Sequence, residues 1–412
     1  MGAIKGKAVV AQSGGPTAAI NASAAGVIET ALANESVFSG VYGSYNGVLG
    51  VLTEEMFDLG REAPAELARL KRSPSAALGS CRHKLRGLDE SRADYERILE
   101  VFRAHDVRYF FYAGGNDSMD TADKLSQLAA ETHYEMTVVG VPKTIDNDLG
   151  FTDHCPGYGS VAKFTAVCAM EAGRDTESLW THDTVCVHEV MGRNAGWIAA
   201  SAGLARRSEE DAPHLILLPE VPLTAEKLAG DVQACLDQYR RCFIICGEGV
   251  KDPDGNYLAE MGGAFGLDAF GHKQLGGAAD AVRAIVEDRV GVKCRAQKPG
   301  TMQRAAMHYA SATDVAEAYM AGAAAVKAAM DGVNGKMVSL VREGGGDTYC
   351  CTTGLVDLAK VANAEKPVPD EFINDEGNFV TKAFLDYAKP LIGGPLPPYM
   401  RFEQHLVPKR LG

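Results

Sequence analysis

The chain of 412 residues is most easily bounded by what it lacks. No apolar run is long enough to span a bilayer and no secretory leader is recognisable, so the expectation is a reducing cytoplasm and no membrane partner. Its ten cysteines form no C-x-x-C; the closest pair, Cys350 and Cys351, is adjacent. They read as small buried hydrophobes, not as a disulfide or zinc framework. The ten histidines show no metal-ligand spacing either. A basic excess is missing as well: 41 Lys and Arg stand against 54 Asp and Glu, a net charge of −13. That excludes a broad nucleic-acid surface, so a polyanionic substrate would have to be gripped by local cation clusters. There is no fixed-period repeat, no Walker loop and no dinucleotide fingerprint.

What is present is an alternation of short apolar runs with longer helical patterns, the signature of a parallel α/β fold of two or three domains. Strands are predicted at 7–11, 107–113, 136–141, 184–190, 214–218 and 241–246. Most are continuous apolar runs, as strands buried on both faces require. Helices are predicted at 16–34, 117–131, 195–206, 224–240, 278–288 and 312–331. The Pro- and Gly-rich stretch 389–400 reads as irregular.

In such sheets ligands bind beyond the carboxyl ends of the strands, and there the chain carries its chemistry. The run Val138 to Asp148 ends a buried strand and delivers Lys143 beside Asp146 and Asp148. A cation next to paired acids suits phosphoryl transfer. The lysine holds phosphate oxygens, one acid takes a hydroxyl proton and the other organises magnesium. Ser13-Gly14-Gly15-Pro16-Thr17 follows the first strand, with Pro16 expected at the first helical position; it reads as a tight turn or an anion contact. Gly114-Gly115-Asn116-Asp117-Ser118 repeats the pattern, with Asp117 or Ser118 as a helix cap or as a contact to a phosphoryl donor. The stretch from Gly79 to Lys84, which contains Arg82, is basic. Met191-Gly192-Arg193 aims an arginine from another strand end, where its fork suits a sugar phosphate. Glu220 closes a further strand, and Arg295 and Arg304 flank Lys298-Pro299-Gly300.

These motifs, in this order over about residues 9–304, resemble the phosphofructokinase superfamily. The resemblance implies two three-layer α/β/α lobes with mostly parallel sheets and an active site in the cleft between them. The phosphoryl-donor lobe would comprise 1–155 plus about 305–365, and the sugar-phosphate lobe 156–304 plus about 366–412. Asp117 and Lys143 match the diphosphate-dependent branch, whereas ATP-dependent members carry glycine at both positions. The implied reaction moves a phosphoryl group from diphosphate to the C1 hydroxyl of fructose 6-phosphate, with Mg2+ and a homodimeric assembly. The resemblance makes Asp146 the base, with Thr144 at the transferred group and Asp148 orienting the base or metal. Gly14, Gly15, Arg82, Gly115, Asn116 and Asp117 would face the donor. Met191, Gly192, Arg193, Glu220, Arg295 and Arg304 would face the sugar phosphate. Departures from the family pattern accompany these matches. Asn116 stands where the family usually has an aspartate that binds magnesium, so coordination would lean on Asp117 or Asp146 or run through water. Thr301 replaces a usual His or Tyr, and Thr184 a usual interface arginine. The rival readings are an ATP-dependent 6-phosphofructokinase, a kinase of another sugar phosphate such as sedoheptulose 7-phosphate, and a catalytically silent binding protein.

Overall fold

Side-chain alternation along continuous apolar strands builds the two sheets of this protein. The structure, a computed structural model, describes residues 4–83, 85–261, 265–267, 273–274, 277–362 and 364–411. Lys84, part of the basic stretch noted above, lies outside them. The strands are β1 (Gly6–Gln12), β2 (Phe38–Ser44), β3 (Met56–Asp58), β4 (Val107–Gly114), β5 (Thr137–Pro142), β6 (Val185–Val190), β7 (Leu215–Leu217), β8 (Cys242–Gly247), β9 (Phe265–Leu267), β10 (Lys273–Gln274), β11 (Cys294–Gln297), β12 (Lys336–Glu343) and β13 (Cys350–Asp357). The larger sheet has the order β13-β12-β5-β4-β1-β2-β3, and the smaller the order β11-β6-β8-β7. Pairing is parallel throughout, except that β3 and β13 run antiparallel at the edges of the larger sheet. β9 and β10 form a separate antiparallel ribbon.

Each sheet is the middle of three layers. In the larger one Val9, Ala11, Phe110, Tyr112 and Val138 pack towards the helices Leu88–Ala104 and Asn116–Glu131. Their neighbours Ala8, Val10, Tyr109, Phe111, Val139 and Val141 face the helices Ile20–Leu32 and Ala312–Met330. A period of two therefore feeds both cores from the same strands. The smaller sheet does the same. Val185, Val187, Ile244 and Cys246 face the helices Ala225–Tyr239 and Ala278–Arg289. Cys186, Phe243 and Ile245 face Tyr158–Ser178 and Trp197–Ser201, and Val368, Val380, Phe384 and Leu391 of the C-terminal segment complete that core.

The helices Ile20–Leu32 and Ala312–Met330 approach unusually closely. A Cβ on Gly322 would lie 2.0 Å from the Ser23 carbonyl oxygen, and one on Gly26 would lie 2.1 Å from that of Tyr319. Two predicted helix starts need correction. The first helix begins at Ile20, so Pro16 is not its first residue; Thr17 Oγ1 accepts from Ile20 N at 2.9 Å instead. The other begins at Asn116 with Gly115 at the cap, so neither Asp117 nor Ser118 caps it and Asp117 lies in its first turn.

Candidate active site

Because β5, β4 and β1 are adjacent and parallel, their carboxyl ends open side by side. Register brings Gly114 level with Pro142, and Lys143 N then donates to Gly114 O at 3.1 Å. The Lys143 side chain is 3% exposed, and its ammonium donates to Gly15 O at 3.0 Å. Gly14 N donates to Cys81 O and Ser80 Oγ to Gly14 O, which ties the segment bearing Arg82 to the same rim. A Cβ on Gly15 would stand 3.0 Å from Arg304 Nη1. The three loops thus bring Gly14, Gly15, Gly115, Lys143, Arg82 and Arg304 into one neighbourhood.

Beyond Lys143 the chain alternates again. Ile145, Asn147 and Leu149 are buried, while Thr144, Asp146 and Asp148 keep part of their surface towards the cleft. Asp146 N donates to Thr144 Oγ1 at 3.1 Å. The electrostatics follow from crowding. Burial pushes Lys143 down to about 8, partly offset by Asp146, while Arg304 and Arg82 push the same way as burial. Burial raises Asp146, with Glu248 adding to the rise and Lys143, Arg193 and Arg304 opposing it. Asp148 is raised by burial and by Asp146. Although both acids touch the cleft, enough protein surrounds them to leave their charges poorly solvated. Burial likewise lowers Arg304, helped by Arg82.

The opposite wall comes from the adjacent ends of β6 and β8. Met191 N donates to Gln303 Oε1 at 2.9 Å, fastening this wall to the helix Met302–Ala305 that carries Arg304. Gly192 takes φ +120°, and its N–H donates to Glu248 Oε1 at 3.3 Å. Arg193 contributes a buried Nε that has no hydrogen-bond partner, a donor suited to an incoming anion.

Two expected residues are engaged in contacts of their own. The Glu220 carboxylate accepts from Gly196 N and Val368 N, each at 2.9 Å, so it secures the backbone behind the wall. Arg295 pairs in register with Cys186, well before the end of β6. Its guanidinium donates to Asp175 at 2.6 Å and lies 3.7 Å from Asp183. Conversely, the sequence reading overlooked Glu248. Its backbone N donates to Val190 O at the β6 end, and burial raises its carboxyl to about 7. Its one signal was Gly247-Glu248-Gly249 immediately after a buried strand, and that becomes informative only once β8 is known to lie beside β6.

Asn116 and Asp117 open the helix after β4. Asn116 Oδ1 is buried and accepts no hydrogen bond. An unsatisfied amide oxygen next to a carboxylate suits a hard cation such as magnesium. Among the described residues one other group has metal-ligand proximity, His154, Glu317 and Cys351. Both His154 ring nitrogens are already engaged, by Asp153 at 2.8 Å and by Glu317 at 2.7 Å, so it is a hydrogen-bonded network.

Facing strand ends, a buried ammonium, paired acids and two arginines define an α/β phosphotransferase type of site. The chain belongs to the phosphofructokinase family, whose model, "Phosphofructokinase", matches residues 7–329. It is 43% identical over 413 residues to the pyrophosphate–fructose 6-phosphate 1-phosphotransferase of Halomonas elongata, covering 98% of each chain. The corresponding protein of Xanthomonas campestris pv. campestris is 45% identical over 393 residues, with 95% of this chain and 93% of the relative covered. The crystal structure of a pyrophosphate-dependent phosphofructokinase from Nitrosospira multiformis superposes with a TM-score of 0.86 at 42% identity, covering 98% of both chains.

Proposed function

We propose that this protein is a diphosphate-dependent phosphofructokinase. It transfers a phosphoryl group from diphosphate to the C1 hydroxyl of fructose 6-phosphate, reversibly, giving fructose 1,6-bisphosphate and phosphate. The observation that carries this reading is the Lys143 ammonium, buried at the Gly15 carbonyl and electrostatically coupled to Asp146, Asp148, Arg82 and Arg304. Relatives 43% and 45% identical over nearly the whole chain are named for the same donor and acceptor.

In this reading Gly14, Gly15, Gly115, Arg82 and Lys143 hold diphosphate. Asp117 adds a negative side chain where a nucleotide's α-phosphate would pass, so ATP is repelled. Asp146 takes the proton of the C1 hydroxyl as that oxygen bonds to phosphorus. The bond to the bridging oxygen of diphosphate breaks, and phosphate leaves with its electron pair. Thr144 contacts the transferred group and Asp148 keeps Asp146 oriented. Arg193 and Arg304 grip the 6-phosphate, Met191 and Gly192 shape the sugar wall, and Glu248 accepts from sugar hydroxyls. Asn116 and Asp117 would hold Mg2+, which when bound neutralises diphosphate charge. The first lobe (1–155 and about 305–365) would serve the donor, and the second (156–304 and about 366–412) the sugar phosphate. A homodimer in a reducing cytoplasm completes the reading, and ten free cysteines suit that compartment.

Initial rates with diphosphate and with ATP, measured in both directions, test it. Turnover with diphosphate alone is expected; turnover with ATP and none with diphosphate would overturn the reading. A parallel assay with sedoheptulose 7-phosphate sets the acceptor.

A further inference from the structure

Asn147 lies between the two acids of the site yet points away from them. It is fully buried with φ +56°, a left-handed conformation that turns Asp146 and Asp148 to the cleft while its own amide turns inward. Its Oδ1 accepts from Cys155 N at 2.9 Å, and its Nδ2 donates to the Tyr387 hydroxyl at 3.0 Å. That hydroxyl in turn donates to the Asp153 carbonyl at 2.9 Å. One phenol therefore binds both arms of the loop 147–153, from the helix Lys382–Ala388, more than 230 positions further along the chain.

The phenol cannot wander. Its ring packs 5.4 Å from Trp197 and 5.5 Å from Phe372, and the Arg342 guanidinium lies 4.5 Å over it. Arg342 is fixed by the Asp153 carboxylate at 3.0 Å, and Lys366 Nζ donates to the Thr152 and Asp153 carbonyls. Asp153 also holds His154, whose other nitrogen meets Glu317. The loop carrying the acids thus rests on a buried polar network in which the Tyr387 hydroxyl joins Asn147 to the C-terminal segment.

We propose that Tyr387 is a positioning residue for the reaction, setting the placement of Asp146 and Asp148 through Asn147. The role rests on the reading of Asp146 as base. A phenylalanine at 387 keeps the ring packing but leaves Asn147 Nδ2 without its partner and the Asp153 carbonyl held by Lys366 Nζ alone. The loop then relaxes and the base loses its alignment with the acceptor hydroxyl.

The test compares Tyr387→Phe with Tyr349→Phe. Tyr349 donates to Glu317 at 2.6 Å in the same network without touching Asn147. Tyr387→Phe is expected to lower kcat roughly 10- to 100-fold with KM for both substrates unchanged. Its pH profile is expected to shift on the acid side, because Asp146 faces Lys143, Glu248, Arg193 and Arg304, and Asp148 faces Asp146, Glu365 and Lys366. Tyr349→Phe is expected to keep wild-type kcat and pH profile. Unchanged kcat and pH profile in Tyr387→Phe, or equal losses in the two variants, overturns the proposal. If Tyr387→Phe does not fold, Asn147→Gly removes the same hydrogen bond from the loop side, together with the one from Cys155 N, without backbone strain, and the same outcomes decide. Asp146→Asn separates the two failures. Full activity there removes the base reading and this role with it; loss of activity there, with Tyr387→Phe unchanged, removes the positioning role alone.

Discussion

Lys143 and Asp146 carry opposite consequences of the same burial. Loss of solvation raises Asp146 above the ordinary carboxylate range and pushes Lys143 down to about 8. The base works once its proton is gone, whereas the cation works only while its proton is held. With diphosphate as the varied substrate, kcat/KM should therefore climb as Asp146 ionises and fall as pH passes about 8. Lys143→Arg keeps a positive charge across this range, so it should lose the alkaline fall while retaining the acid limb. Rates between pH 5 and 10 would decide, and an unaltered alkaline limb in Lys143→Arg would show that another group sets it. Donor choice is argued from the same residues. Asp117→Gly combined with Lys143→Gly is expected to abolish the diphosphate-dependent rate and admit some ATP turnover; diphosphate turnover at the wild-type rate would mean that these side chains do not select the donor.

Among the elements, the most confined is the pair of helices Ile20–Leu32 and Ala312–Met330. Helix propensity alone makes Gly→Ala favourable by about 1 kcal/mol. At Gly322 the new Cβ would sit 2.0 Å from a backbone oxygen that cannot step aside, so overpacking of about 1–3 kcal/mol should win. At Gly230, within Ala225–Tyr239, nothing lies within 4 Å of the added Cβ. Urea unfolding should find Gly322→Ala destabilised and Gly230→Ala stabilised. The same sign at both sites would refute the packing argument. Elements also differ in how legible they were. β1, β4, β5, β6 and β8 are buried on both faces, so their apolar runs announced them within a residue or two. β12 and β13 escaped notice because an antiparallel edge pair mixes exposed and buried positions, as in Cys350-Cys351-Thr352-Thr353-Gly354. Motif residues on strand-end loops were equally readable. The contacts of Glu220 and Arg295 were not readable, because a charged residue at or near a strand end can satisfy backbone or a neighbouring acid as readily as a ligand. Which of these happens depends on strand order and on side-chain direction, which sequence spacing does not encode.

For the whole molecule, the decisive feature is that the chain leaves the smaller sheet, builds β12 and β13 at the edge of the larger one, and then returns. The returning segment, after Glu365, supplies Val368, Val380, Phe384, Ala388 and Leu391 to the core beneath the smaller sheet. Trp197 marks that junction. It is 2% exposed, donates from Nε1 to the Lys366 carbonyl at 2.8 Å, and packs against Phe372, Phe384 and Tyr387. If the segment is part of the core, deletion of residues 366–412 removes Phe372, Phe384 and Tyr387 and uncovers the face of Trp197 that they cover. Buried apolar area of that kind is worth about 25 cal/mol per Å2, far more than a surface tail contributes. The truncated protein should then unfold at lower urea, lose activity, and show Trp197 emission displaced to the red. The other tryptophan, Trp180, is 38% exposed in the intact chain and lies at the far end of the helix Tyr158–Ser178, so its emission should change little. A Trp180→Phe background isolates the signal. Wild-type emission and activity after truncation would mean that the segment merely lies on the surface, and would also remove the anchor on which the Tyr387 contact to Asn147 depends.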